Sequence, residues 1–510
     1  GFNTILYEIE DKFRFPRHPA LTHPEAPSHE ETADFVRSCR AKGVEVIPMM
    51  QSLGHAESVV GKPAYAHLRE TPEVDDQYDP LSDEARRLIL DLYDEIIDVM
   101  QPREFFHVGG DETFSLGVGA RSRPVVEKIG IGGLYLRHML PIFEHVRRRG
   151  LRPIIWADIV LSHPEIIREI PKDVVMMDWD YGIRSERGPG LHIHAGGALN
   201  PQTGHRATIW GLTWADYAKY ENPVFRTHFE KYAVDAQTRR DGTFVQFYGT
   251  DALLAAGLDV ITASANRSCG DMTGVPDHDF HMPNCFHSAR KGMQSGSGNL
   301  VTCWAVRHSH PEVAHPSTFA AAYALSSKSP FDSRAVCEAF TRDFYGMAMP
   351  EFAHAAEKAQ QVFWLGESRA VFEAQKQLKQ GNDPLPGLLA PLERKHGSRQ
   401  AAGDHVQSLL AGYQEARGAF EQMKSRAVKN THNLDFWLEG VDLHIFLAEF
   451  TLSALAGHLA DDSRKLLGRI KELSANTRRL FSETYLAQGV EDEVRQRYGL
   501  FETCLTSGRH

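Results

Sequence analysis

Residues 105–113 read Phe105-Phe106-His107-Val108-Gly109-Gly110-Asp111-Glu112-Thr113. An apolar run closes on two glycines and then presents two adjacent carboxylates. A buried parallel strand has this character when its carboxyl end holds acidic side chains against a ligand. We therefore interpret this stretch as a strand with a functional tip, and the surrounding chain as the scaffold that positions it.

Similar strands recur on both sides of that tip, separated by helical patterns. Strands are predicted at 2–9, 44–50, 105–108, 153–157, 174–179, 259–263 and 299–304, and helices at 28–43, 82–100 and 134–150. Ser28 and Glu31 have the spacing of a capping box at the first helix. Repeated β-α units with polar residues at the strand ends predict an α/β fold, a (β/α)8 TIM barrel, with a doubly wound open sheet as the alternative.

The predicted barrel has seven firm strands and lacks its first. Either that strand precedes Gly1, since the chain does not begin with Met, or an extra strand at 243–248 closes the barrel. We assign residues 1–310 to the catalytic barrel, with an irregular insertion at about 182–240. Residues 311–510 are rich in helix-forming residues with apolar spacings of three and four, which predicts an α-helical C-terminal domain. Its helices are expected at 319–326, 349–372, 402–423, 434–458 and 462–487, with a connection at 375–400.

Composition limits the partners of the chain. The formal net charge of -11 argues against nucleic acid or an anionic membrane as a partner. The six cysteines form no CxxC pair, so we expect reduced thiols and a cytoplasmic location. A metal site at Cys269, His281, Cys285 and His287 is a weak alternative, because their spacing matches no zinc motif. We expect no metal and no other cofactor.

Asp111 and Glu112 are the first candidates for catalysis. Adjacent residues on an extended tip point in different directions, so the two carboxylates cannot share one proton-transfer task. An acid that works near neutral pH needs a raised pKa, and each carboxylate supplies the other with a neighbouring negative charge. Gly109 and Gly110 would allow a ligand to approach the backbone closely. The alternative is a helix N-cap Asp followed by a first-turn Glu, but the strand-end context favours a functional site.

His107-Val108-Gly109-Gly110-Asp111-Glu112 resembles the H-[IV]-G-G-D-E signature of family 20 glycoside hydrolases, the β-N-acetylhexosaminidases. Pro48-Met49-Met50-Gln51-Ser52-Leu53-Gly54-His55 is similar, more loosely, to the second signature of that family. The resemblance covers about residues 2–310 and is closest to the hexosaminidase D branch.

This resemblance implies a retaining mechanism in which the 2-acetamido oxygen of the substrate attacks the anomeric carbon and forms an oxazolinium intermediate. Glu112 would be the acid and then the base, and Asp111 would hold the acetamide N–H. Asp11 and His55 match supporting residues and are expected to form a hydrogen-bonded pair, while His107 matches the first histidine of the signature. The implied substrate is a glycan or glycoside with a terminal β-linked GalNAc or GlcNAc.

Aromatic residues at strand ends would form the sugar pocket implied by the resemblance. The tryptophans concerned are Trp156, Trp179 and Trp304, and Trp210 and Trp214 in the insertion could border a subsite. The tyrosine that would bind the acetamide has no clear counterpart, and the nearest candidates for that role are Tyr181, Tyr248 and Asp271.

Two residues typical of the family are missing from their places. No first strand is present to carry the sugar-binding arginine, and Trp304 is followed by Ala305-Val306-Arg307 where the family has a glutamate. These departures leave two alternatives open. One is a catalytically silent barrel that binds N-acetylhexosamine. The other is a metal-dependent barrel hydrolase that uses His55, His107, Asp111 and Asp158.

Overall fold

The computed structural model describes residues 2–194, 196–198, 206–268, 271, 273–304, 309–361 and 368–506. The chain forms two compact units. The first comprises Gly1–Ala263 with Ser288–Leu300, and the second comprises Ser264–His287 with Val301–His510. The boundary predicted near residue 310 follows sequence character rather than compactness, and it stays a prediction.

The central sheet has seven strands among the described residues. They are β1 (Thr4–Glu8), β2 (Glu45–Met49), β3 (Phe105–His107), β4 (Arg152–Trp156), β5 (Val175–Trp179), β10 (Asp259–Ala265) and β11 (Asn299–Thr302). Their spatial order is β1-β2-β3-β4-β5-β10-β11, and the pairs from β1 through β10 are parallel. Sequential parallel order with helical crossovers is the arrangement of a (β/α)8 barrel, here with seven of its strands. The predicted fold class is confirmed.

Helices cross between these strands, three of them over the predicted stretches 28–43, 82–100 and 134–150. They are α1 (His29–Ala41), α2 (Glu57–Val60), α3 (Asp83–Met100), α4 (Arg123–Arg148), α5 (Asp158–Ser162), α10 (Tyr248–Ala255) and α11 (His278–Ser295), with 3-10 turns at Pro63–Leu68 and Pro164–Glu169. The Ser28 side chain accepts a hydrogen bond from the Glu31 backbone N–H, and the Glu31 side chain accepts one from the Ser28 backbone N–H. The predicted capping box is therefore present. At the other end of α1, the chain leaves the helix through Gly43, whose φ angle lies in the left-handed region.

The segment between β5 and β10 folds into two small antiparallel pairs and short helices. The strands are β6 (Arg187–Gly188), β7 (Gly190–Ile193), β8 (Ile209–Thr213) and β9 (Phe244–Val245), and the helices are α6 (Trp214–Tyr217), α7 (Pro223–His228), α8 (Glu230–Ala233) and α9 (Thr238–Asp241). The possible extra strand at 243–248 is wrong as a barrel strand. Only two of its residues are extended, and they pair with β6 outside the central sheet, while Tyr248 already begins α10.

The second unit is helical, as predicted. After a 3-10 turn at Pro311–Ala314 come α12 (His315–Ser326), α13 (Ser333–Phe344), α14 (Phe352–Ala359), α15 (Ser368–Lys379), α16 (Leu385–His396), α17 (Arg399–Arg426), α18 (Asn433–Ala456), α19 (Leu459–Phe481) and α20 (Ala487–Thr506).

Two predictions in this unit are wrong, and two helices are missing from the prediction. The expected connection at 375–400 contains all of α16, which starts directly after Pro384, so the prolines and glycines there cap a helix instead of replacing it. The helix predicted at 349–372 is two helices, α14 and α15, and α13 and α20 were not predicted. Apolar side chains account for most of the long α18, which is therefore the most buried helix of this unit.

Candidate functional site

The tip after β3 turns sharply and packs closely on its neighbours. Gly109 and Gly110 have φ angles of 69° and 88°, in the left-handed region that favours glycine. A Cβ on Gly109 would overlap the side-chain oxygen of Gln51, and one on Gly110 would lie 2.8 Å from the Tyr135 hydroxyl. The predicted reason for the two glycines therefore needs correction, because the groups that approach the backbone here are protein side chains.

One imidazole contacts both carboxylates of the tip. His55 Nε2 lies 3.1 Å from Glu112 Oε2 and 3.7 Å from Asp111 Oδ2. On its other side, His55 Nδ1 lies 3.8 Å from Glu57 Oε1. The hydrogen bonds with Glu112 and Glu57 raise the pKa of His55 to about 11, so the ring is an imidazolium at neutral pH and donates to Glu112.

Both ends of this contact have strained backbones. His55 and Glu112 have φ angles of 49° and 45°, although neither is glycine. Such angles cost free energy and persist only where the surrounding structure enforces them, which occurs most often at functional sites. Gly54 contributes to the constraint, because a Cβ at this position would collide with the Asp111 carbonyl oxygen.

Asp158 fixes the backbone of Glu112. Its Oδ2 accepts a hydrogen bond of 2.9 Å from the Glu112 backbone N–H. Burial raises the pKa of Asp158 to about 8, and the charges of Asp111 and Glu112 add to the effect. From the sequence, Asp158 is predicted to follow a strand and is a candidate only in the metal-dependent alternative. The rule that polar residues at barrel strand ends face the site could have added it to the main candidates.

Asp111 is 8% exposed and accepts a hydrogen bond of 3.3 Å from Gln51 Nε2 at its Oδ1. Burial raises its pKa to about 7, with the charges of Glu112 and Glu8 acting in the same direction and His55 opposing them. Gln51 Oε1 also accepts a hydrogen bond from the Gly110 N–H, and the Gln51 side chain hydrogen-bonds to Glu8. Burial raises the pKa of Glu8 to about 7. Sequence reasoning missed the roles of Gln51 and Glu8.

His107 and Trp156 lie in the interior. His107 is fully buried, and its Nδ1 accepts from the Gly109 N–H at 3.0 Å, so it holds the turn of the tip. Burial lowers the pKa of His107 to about 3, which keeps the ring neutral. Trp156 is 1% exposed and packs 4.8 Å from His107. A ring buried to this extent presents no face to a sugar, so the predicted sugar contact of Trp156 is not supported.

Trp179 and Tyr181 form an aromatic group at the end of β5. Their ring centroids are 5.2 Å apart, and both rings are half-buried. His194 lies 5.3 Å from Trp179, and burial lowers its pKa to about 4, with the charge of Glu112 acting in the opposite direction. Tyr248 is buried and donates from its hydroxyl to the His192 carbonyl at 2.8 Å. Through this hydrogen bond, Tyr248 holds β7 in place.

Asp11 has other partners than predicted. Its Oδ2 accepts from Lys62 Nζ at 3.1 Å, and Lys12 Nζ lies 3.3 Å from its Oδ1. The hydrogen-bonded pair predicted between Asp11 and His55 is therefore wrong, since His55 turns to the tip carboxylates. Asp11 positions Lys62 and the segment around it.

Two predicted residues belong to the second unit. Asp271 is 3% exposed, and its carboxylate accepts from the backbone N–H groups of Ser268 and Asp277 and lies 2.8 Å from His281 Nε2. These bonds brace the segment, and a substrate contact of Asp271 stays a prediction. The Trp304 backbone N–H donates to the Arg267 carbonyl at 3.4 Å. Cys269 and Ala305-Val306-Arg307 lie outside the described residues.

The described residues were also searched for a metal site and for a membrane-spanning helix. Within the described ranges, no three His, Cys, Asp or Glu side chains converge in a way that could hold a metal ion. None of the helices in the described part of the chain is long and apolar enough to cross a membrane.

Comparison with known proteins finds a family that this site resembles. Residues 17–189, which contain the tip, His55 and Asp158, match the family model described as the catalytic domain of glycosyl hydrolase family 20. Through this segment the chain resembles glycoside hydrolase family 20. This match agrees with the signature read from residues 107–112.

Hexosaminidase D of Bos taurus is 33% identical over 190 residues, which are 36% of this chain and 55% of that protein. Hexosaminidase D of Homo sapiens is 31% identical over 189 residues, which are 36% of this chain and 39% of that protein. The matched part of the chain thus spans about half, or less, of these relatives.

Solved structures resemble the chain more distantly. The β-N-acetylhexosaminidase from Bacteroides fragilis has 14% identity and a TM-score of 0.41, covering 65% of this chain and 61% of that one. The chitobiase of Flavobacterium johnsoniae has 10% identity and a TM-score of 0.43, covering 92% of this chain and 70% of that one.

Proposed function

We propose that the chain is an exo-acting, retaining β-N-acetylhexosaminidase that removes terminal β-linked GalNAc or GlcNAc from a glycan or glycoside. The observation that carries the proposal is the contact of one imidazolium, His55, with both Asp111 and Glu112. A half-buried acid, Glu112, beside a buried acid, Asp111, gives two carboxyls with different environments, which is how one site assigns them different tasks.

Glu112 is the proton donor in this proposal. In the resting site the His55 Nε2–H donates to Glu112 Oε2 and holds the Glu112 carboxyl in position. In the first step the protonated Glu112 carboxyl gives its proton to the leaving oxygen as the bond from C1 to that oxygen breaks. In the second step Glu112 takes a proton from water, the water oxygen bonds to C1, and the bond from C1 to the acetamide oxygen breaks, which restores the acetamide.

Asp111 handles the acetamide. The acetamide oxygen of the substrate bonds to C1 as the leaving group departs, and a positive charge develops on the acetamide nitrogen. A fixed, buried carboxylate beside that nitrogen stabilises the charge without reorganising. Gln51 holds the carboxylate of Asp111 in place at 3.3 Å. No cofactor takes part in either step.

The test is hydrolysis of aryl β-GlcNAc and aryl β-GalNAc, with the corresponding glycosides that carry a free 2-amino group as controls. The proposal predicts turnover of at least one acetamido substrate with retention at C1, little turnover of the amino analogues, inhibition by an acetamide-derived thiazoline and no effect of EDTA. Asp111→Asn should lower kcat about 10²-fold or more, because it removes charge that matters in the transition state.

Each alternative class has its own outcome in these assays. Tight sugar binding with no turnover would replace the proposal with a silent binding barrel. Activity that EDTA abolishes would replace it with a metal-dependent hydrolase. We also propose a cytoplasmic location, which the free thiols of Cys39, Cys285, Cys303, Cys337 and Cys504 support.

A further inference from the structure

Trp210 is a large aromatic residue that the proposed chemistry does not use. Its side chain lies in β8 of the segment between β5 and β10 and is 64% exposed. One face of the ring is covered, because it stacks on His192 with ring centroids 3.7 Å apart and an angle of 20° between the planes. The indole therefore has a supported face and an open face.

The backbone is built to hold the ring in that position. Between β7 and β8 the pairing register shifts, so that Leu191 opposes Leu212 but Ile193 opposes Ile209. Trp210 and Gly211 thus both lie opposite His192, and Gly211 has a φ angle of 71°. A β-bulge of this type re-aims a side chain, and bulges are common beside active sites.

The ring beneath Trp210 is itself fixed. His192 is 8% exposed, and its Nδ1 lies 2.6 Å from Asp180 Oδ2. Asp180 directly follows β5 and also accepts from the Gly182 backbone N–H through Oδ1, at 2.9 Å. The orientation of Trp210 is therefore set by groups anchored at the end of a barrel strand, which is the kind of support that a binding surface needs.

A continuous row of rings connects Trp210 to the end of β5. His194 lies 4.9 Å from His192, and Trp179 lies 5.3 Å from His194. The inner end of this row, Trp179, is the last residue of β5. The carboxyl ends of the strands are the edge at which the active sites of (β/α)8 barrels lie.

We infer that Trp210, supported by His192, is the platform for the leaving group, a sugar ring that stacks its C–H face on the open face of the indole. The inference rests on the proposed function, because Glu112 protonates the oxygen that joins the leaving group to the cleaved sugar. The leaving group must extend from that oxygen away from the N-acetylhexosamine pocket. An apolar ring face offered to solvent suits a pyranose face, since both surfaces lose water on contact.

The experiment compares two substrates that share one N-acetylhexosamine: N,N′-diacetylchitobiose and N-acetylglucosaminyl β-fluoride, or their galacto epimers if the enzyme prefers those. Trp210→Ala should lower kcat/KM for the disaccharide about tenfold, mainly through KM, and leave the fluoride unchanged, because fluoride has no ring to stack. Trp210→Phe should recover most of the loss. Val224→Ala, an exposed residue of the same segment, is the matched control and should behave as wild type on both substrates.

Calorimetric binding separates this inference from the proposed function. If the wild-type protein turns over neither substrate, the proposed function fails, but titration with the disaccharide and with free GlcNAc still tests the platform. A Trp210→Ala loss of affinity confined to the disaccharide supports the inference. Equal effects on both ligands, no effect on either, or no sugar binding by the wild-type protein overturns it.

Discussion

Replacement of Asp158 by alanine should disable the site without touching either proposed catalytic carboxyl. The change deletes the acceptor of the Glu112 backbone N–H, which lies 2.9 Å from Asp158 Oδ2. A buried donor left without a partner costs about 1–3 kcal/mol. The left-handed backbone conformation of Glu112, with φ at 45°, itself costs about 1–2 kcal/mol. In Asp158→Ala, one of the hydrogen bonds that enforce this conformation is missing.

The tip is therefore expected to relax and move the Glu112 carboxyl. A displacement of about 1 Å from the productive geometry costs about 10²-fold in rate. We expect kcat/KM of Asp158→Ala on an aryl N-acetylhexosaminide to fall about 100-fold, and the free energy of unfolding to fall by about 1–3 kcal/mol.

Asp158→Asn is the matched control, because its amide oxygen can still accept from Glu112. Burial raises the pKa of Asp158 to about 8, so asparagine also resembles the neutral carboxyl that predominates below that pH. We expect Asp158→Asn to keep kcat/KM within about threefold of wild type near pH 7. If Asp158→Ala retains as much activity as Asp158→Asn, the hydrogen bond does not hold the acid, and the reasoning is refuted.

Four further results are expected. Because the folded pKa of Asp158 lies above its unfolded value, this residue should make wild-type stability fall as pH rises towards about 8, by up to about 1.4 kcal/mol per pH unit. In thermal melts Asp158→Asn should remove this contribution, while Asp111 and Glu8, whose pKa values are also raised, keep theirs. Since Asp111 must be ionised to stabilise positive charge and burial raises its pKa to about 7, kcat/KM should decline below about pH 7; a limb near the ordinary carboxyl pKa of about 4 would argue against this role. Gly110→Ala should destabilise the fold by about 1–3 kcal/mol more than Gly150→Ala in denaturant titrations, because both positions have positive φ but only Gly110 is crowded. Asp271→Ala should lower the free energy of unfolding by about 1–3 kcal/mol while leaving KM unchanged, and a large rise in KM would restore the predicted substrate contact.

The sequence predicted most of the scaffold because local patterns determine it. The Ser28 and Glu31 spacing encodes a cap that needs no distant partner, and each predicted strand ends within two residues of the observed end. Proline and glycine were less reliable signals. Pro384 was read as part of a connection, whereas it directly precedes α16.

Side-chain pairing in the site was harder to predict, because it depends on distant segments meeting in space. His55 was expected to pair with Asp11, but it contacts Glu112, and Asp11 pairs with Lys62. The platform at Trp210 depends on a register shift between two short strands, which no spacing in the sequence records.

Proton transfer by Glu112 is tested most directly by Glu112→Gln, measured on two substrates that share one N-acetylhexosamine. We expect kcat/KM for a disaccharide, whose leaving group needs a proton, to fall by about 10²–10⁴-fold, and that for a dinitrophenyl glycoside to fall far less. Glu57→Gln removes the other carboxylate beside His55 and should retain near wild-type rates on both substrates. An unchanged rate on the disaccharide, or an equal loss on both substrates, would contradict the assignment of Glu112 as the acid.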